Sequence, residues 1–189
     1  MIDFLEIFSL VTGLVYMVAQ IFQWKWMWYA DMLTAGAALA VAVASHIWGN
    51  AAINAYFFVM AFIGIVRWRS LEAQTSEGET HLVKVPGRIY AISAALLLAG
   101  GAVICLILFR TNDPHPIADG ISLILSIIGC WWLTASYLPQ WYLWIASDLI
   151  TAWIFASQGL WWMAVLYICY VISAVFGIIY WKKHGKYIG

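Results

Sequence analysis

Seven stretches of this chain are apolar for about the distance needed to cross a bilayer, with little sequence between them. They run over Phe4–Phe22, Trp26–Trp48, Asn50–Trp68, Arg88–Phe109, Asp119–Leu138, Trp141–Gln158 and Gly159–Trp181. Each approaches the roughly 20 residues that span the hydrocarbon core as a helix. Of the 189 residues, 65% are hydrophobic and 10% charged. A soluble domain of this size cannot hide that much apolar surface. The short alternating strands of an outer-membrane barrel are absent, so the sequence predicts an all-α membrane protein with seven transmembrane helices. A formal net charge of zero argues against nucleic acid as a partner. The opening Met-Ile-Asp-Phe-Leu-Glu lacks the basic region of a secretory signal, so it is expected to be retained.

Only Gly49-Asn50 separates segments two and three, and only Gln158-Gly159 separates six and seven, so both pairs are expected to be antiparallel hairpins. The one long polar segment is Arg69–Pro86, with Glu72, Gln74, Ser76, Glu77, Gly78 and Glu79, and is expected to be a mobile surface linker. Thr111–Pro116 is a shorter loop stiffened by Pro114 and Pro116. Seven crossings place Lys25, Arg67, Arg69, Lys84, Arg88, Lys182, Lys183 and Lys186 on one side, leaving only Arg110 on the other. By the positive-inside rule the N-terminus is outside and the C-terminus inside.

The two halves of the chain resemble one another. Trp24 and Asp31 recur as Trp141 and Asp148 at a spacing of 117, while Glu6/Ser9 recur as Asp119/Ser122 and Gly64/Trp68 as Gly177/Trp181 at a spacing of 113. The four-residue difference would have to be absorbed in loops. An internal duplication of about 65 residues is expected. The organisation read from this is a first three-helix repeat over 1–69, a polar linker with connecting helix 4 over 70–118, a second repeat over 119–182 and a tail over 183–189. An odd connecting helix makes the repeats parallel, a 3+1+3 plan like that of the SWEET sugar exporters, with a site near the midplane between repeats.

One carboxylate, Asp148, stands in the otherwise apolar run Trp141–Thr151. On a helix Trp141, Trp144, Asp148, Thr151, Phe155 and Gln158 share a stripe. A carboxylate at that depth is costly unless it faces a polar cavity or a partner. Beside two indoles it suits a flat cation, through stacking and cation–π attraction. The plainer reading makes the tryptophans interface anchors and leaves Asp148 wet near a helix end. Asp31 is the matching carboxylate, free to meet ligand or to stabilise its own bundle. Asn50 and Asn54, one turn apart, could bond a hydroxyl or carboxamide or simply join helices. Gln158, Tyr167 and Tyr170 are further candidate donors near the second repeat.

Cys105, Cys130 and Cys169 lie inside apolar runs and read as packing residues. His46, His81, His115 and His184 have no partner at ligand spacing, so neither a metal site nor a cofactor is expected. Phosphate-loop, His-Glu-x-x-His and nucleophile-elbow motifs are missing, and no mid-membrane lysine near the end of the last helix could hold retinal. An enzyme is not expected.

Several of these stretches resemble the PnuC family of bacterial vitamin-precursor transporters: Asp119-Gly-Ile-Ser-Leu-Ile-Leu-Ser126, Trp141-Tyr-Leu-Trp144 ahead of Asp148, Gln158-Gly-Leu160, and Asn54 before Ala55-Tyr-Phe-Phe58, Gly64 and Trp68. The resemblance covers nearly the whole chain. It implies uptake of nicotinamide riboside across the bacterial inner membrane by facilitated diffusion, with a cytoplasmic kinase trapping the product. Close relatives called PnuT carry thiamine, the alternative substrate. The resemblance puts Trp141, Trp144, Asp148, Asn54, Gln158 and Tyr167 at the site, and leaves a homo-oligomer, a trimer among the options, open. Ser136-Tyr-Leu-Pro-Gln140 departs from the basic residue and Glu-Asn that many members carry before the motif. A rival of another class is a non-transporting membrane subunit.

Overall fold

A computed structural model describes residues 2–46, 48–74, 80–111 and 113–188, without the side chains of 2, 3, 6, 9, 10, 48 and 49. Glu6 and Ser9 of the sequence repeat, and Ser76 to Glu79 of the linker, therefore lie outside what is described. Seven helices follow in order: α1 (Ile2–Ile21), α2 (Met27–Ala44), α3 (Trp48–Glu72), α4 (Gly87–Leu108), α5 (Pro116–Thr134), α6 (Gln140–Ser157) and α7 (Trp161–His184). Five of them, α2 to α5 and α7, are long and apolar enough to cross a membrane. The apolar part of α1 is the shorter Val11–Ile21, and α6 carries Gln140, Ser147, Asp148, Thr151 and Ser157. Large apolar side chains such as Leu98, Leu106, Trp162 and Phe176 point outward, as a lipid solvent allows. The chain is a multi-pass membrane protein.

The helices pack as a closed ring. α1 lies on α2, α2 on α3, α3 on α5, α5 on α6, α6 on α7, and α7 returns to α1. α4 stands outside, packed on α5 through Gly101 and Ser93. Hydrogen bonds between helix ends show which ends share a level. Trp68 of α3 donates its indole N–H to Leu133 O of α5 (3.3 Å), and Trp181 of α7 to Ile21 O of α1 (3.0 Å). Arg69 of α3 donates to the Tyr29 hydroxyl of α2 and Lys182 of α7 to that of Tyr142 in α6. This end, with Lys25, Arg67, Lys84, Arg88 and Lys183 nearby in sequence, is called the basic end below.

Contacts recur along the chain at a spacing of 113. The bounds of α2 and α6 differ by that number. Left-handed backbone recurs at Gln23 (φ 48°) and Ser136 (φ 55°), and at His46 (φ 57°) and Gly159 (φ 77°). Gln23 and Ser136 occupy the position after a helix end where a 6→1 bond closes the turn, Trp24 N to Ala19 O and Tyr137 N to Trp132 O. Trp28 meets Trp68 edge-on at 5.3 Å and 86°, and Trp141 meets Trp181 at 5.3 Å and 82°. The first pair leans on Gly64, the second on Gly177, where an added Cβ would collide with the Trp28 or Trp141 ring. The spacing of 117 drawn from sequence is thus corrected, since the counterpart of Trp141 is Trp28 rather than Trp24. Trp24 is an exposed turn residue stacked on Phe22. Asp31 then falls opposite Trp144, and Asp148 opposite Ala35.

One element departs from the all-α expectation. Thr80–Leu82 forms a short strand, β1, paired in parallel with Gly185–Tyr187, β2, in the register Thr80↔Gly185 and Leu82↔Tyr187. The expectation of a surface linker fails here: Thr80, His81 and Leu82 are each 2% exposed.

Candidate functional site

Inside the ring lies a cavity of about 490 Å³ that every helix but α4 helps to line. α1 supplies Tyr16 and Gln20, α2 Asp31 and Thr34, α3 Ile53 and Phe57, and α5 Asp119, Ser122 and Ser126. From α6 come Trp141, Trp144, Ser147, Asp148, Thr151 and Phe155, and from α7 Tyr167, Tyr170 and Ser173. A wider cleft of about 650 Å³ opens on the outer surface of α5 and α6, around Phe109, His115 and Trp153, but carries no carboxylate.

Among the described residues three carboxylates line the cavity and no lysine, arginine or histidine does. Asp31 is 7% and Asp148 9% exposed, and neither makes a hydrogen bond or ion pair among the described residues. Asp119, in the first turn of α5, lies beside Asp113. Buried charge without a partner is costly, so carboxylates placed this way suit a positively charged partner.

Hydroxyls sew α5 to α6 along one wall. Ser147 Oγ donates to Ser122 O (2.9 Å) and lies 2.8 Å from Ser126 Oγ. Thr151 Oγ1 sits 2.9 Å from Ser147 O and 3.1 Å from Ser122 Oγ. These bonds hold the helix that carries Trp144 and Asp148 in one rotational setting. Across from them Phe155 stacks on Tyr167 (5.5 Å, 26°), and Tyr167 meets Tyr170 edge-on.

The two tryptophans of the motif differ. Trp141 is 3% exposed and wedged between Trp181 and Gly177. Trp144 is only partly buried and packs against Gly129 and the aromatic core. The indole N–H groups of both, and Gln20 Nε2, have no hydrogen-bond partner among the described residues.

Of the residues read from sequence, Trp141, Trp144, Asp148, Asp31 and Tyr167 come together at this cavity. Asn50, Asn54 and Gln158 are not among the residues that line it. Asn54 donates Nδ2 to Asn50 O (2.8 Å) and to its side-chain oxygen, and helix geometry turns the neighbouring Ile53 and Phe57 inward instead. Gln158 caps α6 at the far end, exposed, with its amide turned back on Ile154 O. Sequence reasoning missed Tyr16, Gln20 and Ser147. A polar residue in each apolar run was the available signal, but single hydroxyls and amides are common helix-packing groups.

Comparison with known proteins gives this cavity a context. The sequence profile of the family described as nicotinamide mononucleotide transporter matches residues 3–183. The nicotinamide riboside transporter PnuC of Neisseria mucosa is 26% identical over 150 residues, covering 74% of this chain and 57% of that protein. PnuC of Escherichia coli is 33% identical over 74 residues, covering 39% of this chain and 31% of that one. The chain thus spans less than two thirds of the length of either relative. The crystal structure of the vitamin B3 transporter PnuC shares the fold, with a TM-score of 0.71 at 22% identity, covering 96% of this chain and 81% of that one. Matched by the family profile from residue 3 to residue 183, the chain belongs to the nicotinamide mononucleotide transporter family, a family of membrane transporters and not of enzymes.

Proposed function

We propose that this protein carries nicotinamide riboside across the bacterial inner membrane. The observation that carries the reading is the pair of buried, unpartnered carboxylates, Asp31 and Asp148, in a cavity with aromatic walls and no basic residue. Nicotinamide riboside is a pyridinium, flat and permanently positive, with carboxamide and ribose oxygens around it. Its ring stacks on Trp144, its charge is balanced by Asp148, and the hydroxyl-rich wall of Ser122, Ser126 and Thr151 meets its polar end. Trp141 then acts as a wedge that sets the pocket's shape. The names of the relatives from Neisseria mucosa and Escherichia coli agree with this substrate.

The architecture proposed is seven crossings in a 3+1+3 order, with parallel repeats over 1–69 and 119–182, helix 4 as a splice within 70–118, and a tail over 183–189. The contacts that recur at a spacing of 113 support it, as does the grouping of basic residues at one end. That end is cytoplasmic by the positive-inside rule, with the N-terminus outside. Transport is facilitated diffusion by rocking of one half against the other, and a cytoplasmic kinase traps the product. Thiamine, a second flat aromatic cation, is the alternative substrate, favoured by the second carboxylate at Asp31.

The test is tryptophan fluorescence of the purified protein titrated with each cation, beside uptake into vesicles. Saturable quenching by nicotinamide riboside that Asp148→Asn removes supports the reading. Quenching by thiamine alone selects the alternative, and no response to either moves weight to the non-transporting subunit. Uptake that needs an inward proton or sodium gradient refutes facilitated diffusion.

A further inference from the structure

The segment that leads from α3 to α4 is built into the basic end of the ring. Thr80, His81 and Leu82 are buried, although the sequence that precedes them is polar. Leu82 belongs to one buried apolar cluster with Met27 of α2, Trp68 of α3, Leu133 of α5 and Trp181 of α7, a cluster drawn from both halves of the ring. The same apolar cluster continues to Trp141, whose other side lines the cavity. His81 lies edge-on against Trp68, ring centroids 4.6 Å apart.

Two turns grip this segment from opposite halves. Gln23, between α1 and α2, donates Nε2 to His81 O (3.1 Å) and accepts from His81 N at Oε1 (2.9 Å). Ser136, between α5 and α6, accepts from Val83 N through its backbone carbonyl (3.1 Å). Gln23 and Ser136 are counterparts at the spacing of 113, and both have the left-handed backbone that turns them toward the segment. On the remaining edge β2 covers β1, and Ile188 N donates to Leu82 O (2.8 Å).

We propose that residues 80–83 are the plug that closes the cavity at the basic end, and that Gln23 is its latch. A side-chain amide substitutes for a neighbouring strand on one edge of the segment, so one rotamer change frees both backbone groups of His81. With the latch released, Leu82 withdraws from the cluster it shares with Trp68 and Trp181, and a path to the cavity opens at that end only. Gln23 touches no cavity surface, so it is a positioning residue that acts through the plug. As a gate for substrate the plug rests on the transporter reading; as a closure of the cavity it does not.

The experiment places a reporter thiol in the cavity by Ala174→Cys, with Cys105, Cys130 and Cys169 replaced by alanine. A charged, membrane-impermeant methanethiosulfonate reagent is then applied to each membrane face in turn. With the latch intact, labelling from the face of the basic end is slow. Gln23→Ala raises that rate roughly tenfold or more, since a lost pair of hydrogen bonds shifts a local opening equilibrium by at least that factor. The rate from the other face stays unchanged. Leu82→Ala, which leaves the latch bonds in place, shifts the same rate in the same direction and serves if Gln23→Ala does not fold. Unchanged labelling in both folded variants, or an equal rise from both faces, overturns the plug. Labelling requires no substrate, so a protein that binds neither nicotinamide riboside nor thiamine would refute the transporter reading while this contrast still decided the plug.

Discussion

The indole of Trp181 donates to the backbone carbonyl of Ile21 at 3.0 Å, and that bond ties the last helix to the end of the first. Its counterpart, Trp68 to Leu133 O, ties α3 to α5. Each bond crosses a junction between the halves, and both lie at the basic end. Under the proposed rocking, opening this end would break them together, whereas opening the far end would leave them intact. The ring's tryptophans therefore tie it together at both junctions.

Gly177 should not tolerate a side chain. An added Cβ would sit 2.5 Å from Trp141 Cζ2 and 2.6 Å from Cη2, both in a ring already fixed against Trp181. Gly177→Ala is expected to destabilise by about 1–3 kcal/mol, read as a fall of several degrees in Tm, and to distort the cavity wall. Gly87→Ala, with no atom within 4 Å of the new Cβ, is the control and leaves Tm unchanged or higher. Equal melting of the two variants would contradict this packing.

The motif tryptophans should separate in their effects. Trp144→Phe is expected to weaken nicotinamide riboside quenching severalfold with little change in Tm, because its ring is the accessible one. Trp141→Phe should do the reverse, destabilising by roughly 1–3 kcal/mol as a core volume loss does and lowering Tm by several degrees. The same shift in both variants would mean that both rings serve one role.

Asp148→Asn keeps the shape of the side chain and removes its charge. It is expected to weaken nicotinamide riboside binding by about tenfold or more, the scale of a hydrogen bond or contact to a charged group, without loss of folding. Asp31→Asn should weaken it less, since Asp31 is opposite Trp144 in the register of the two halves rather than opposite Asp148. Isothermal titration of both variants checks the order, and an unchanged Kd for Asp148→Asn would remove it from the site.

His81 gives the plug a pH dependence. Burial pushes its imidazole down from 6.5 to about 4, and its Nε2 has no hydrogen-bond partner among the described residues. Lys186 is paired with it in the strand register, and no carboxylate is described against it. The folded segment keeps the neutral form while a released one takes a proton below about pH 6.5. Stability is therefore full above pH 6.5 and falls as the pH drops toward 4, by about 2 kcal/mol at pH 5. Thermal melts at pH 7.5 and 5 should show the loss, and His81→Phe should flatten it. A profile identical in the two proteins would assign the pH dependence elsewhere.

The sequence by itself determined what kind of molecule this is. Apolar length is a one-dimensional property, so seven helices and a membrane solvent could be read from residue order. Asp31 and Asp148 were legible for the same reason, because a carboxylate in an apolar run needs a cavity or a partner wherever the helices end up. Helical spacing then carried Trp141 and Trp144 along with Asp148. Only the tertiary structure decided the register that pairs Trp28 with Trp141, since turn geometry at Gln23 and Ser136 sets where each helix begins. It also decided that Asn50, Asn54 and Gln158 stand away from the cavity, because facing depends on how whole helices rotate in the ring. The buried strand at Thr80–Leu82 was hidden most fully. The residues before it are polar, and the Gln23 amide that satisfies its backbone comes from 58 residues earlier in the chain, a pairing that no local pattern records.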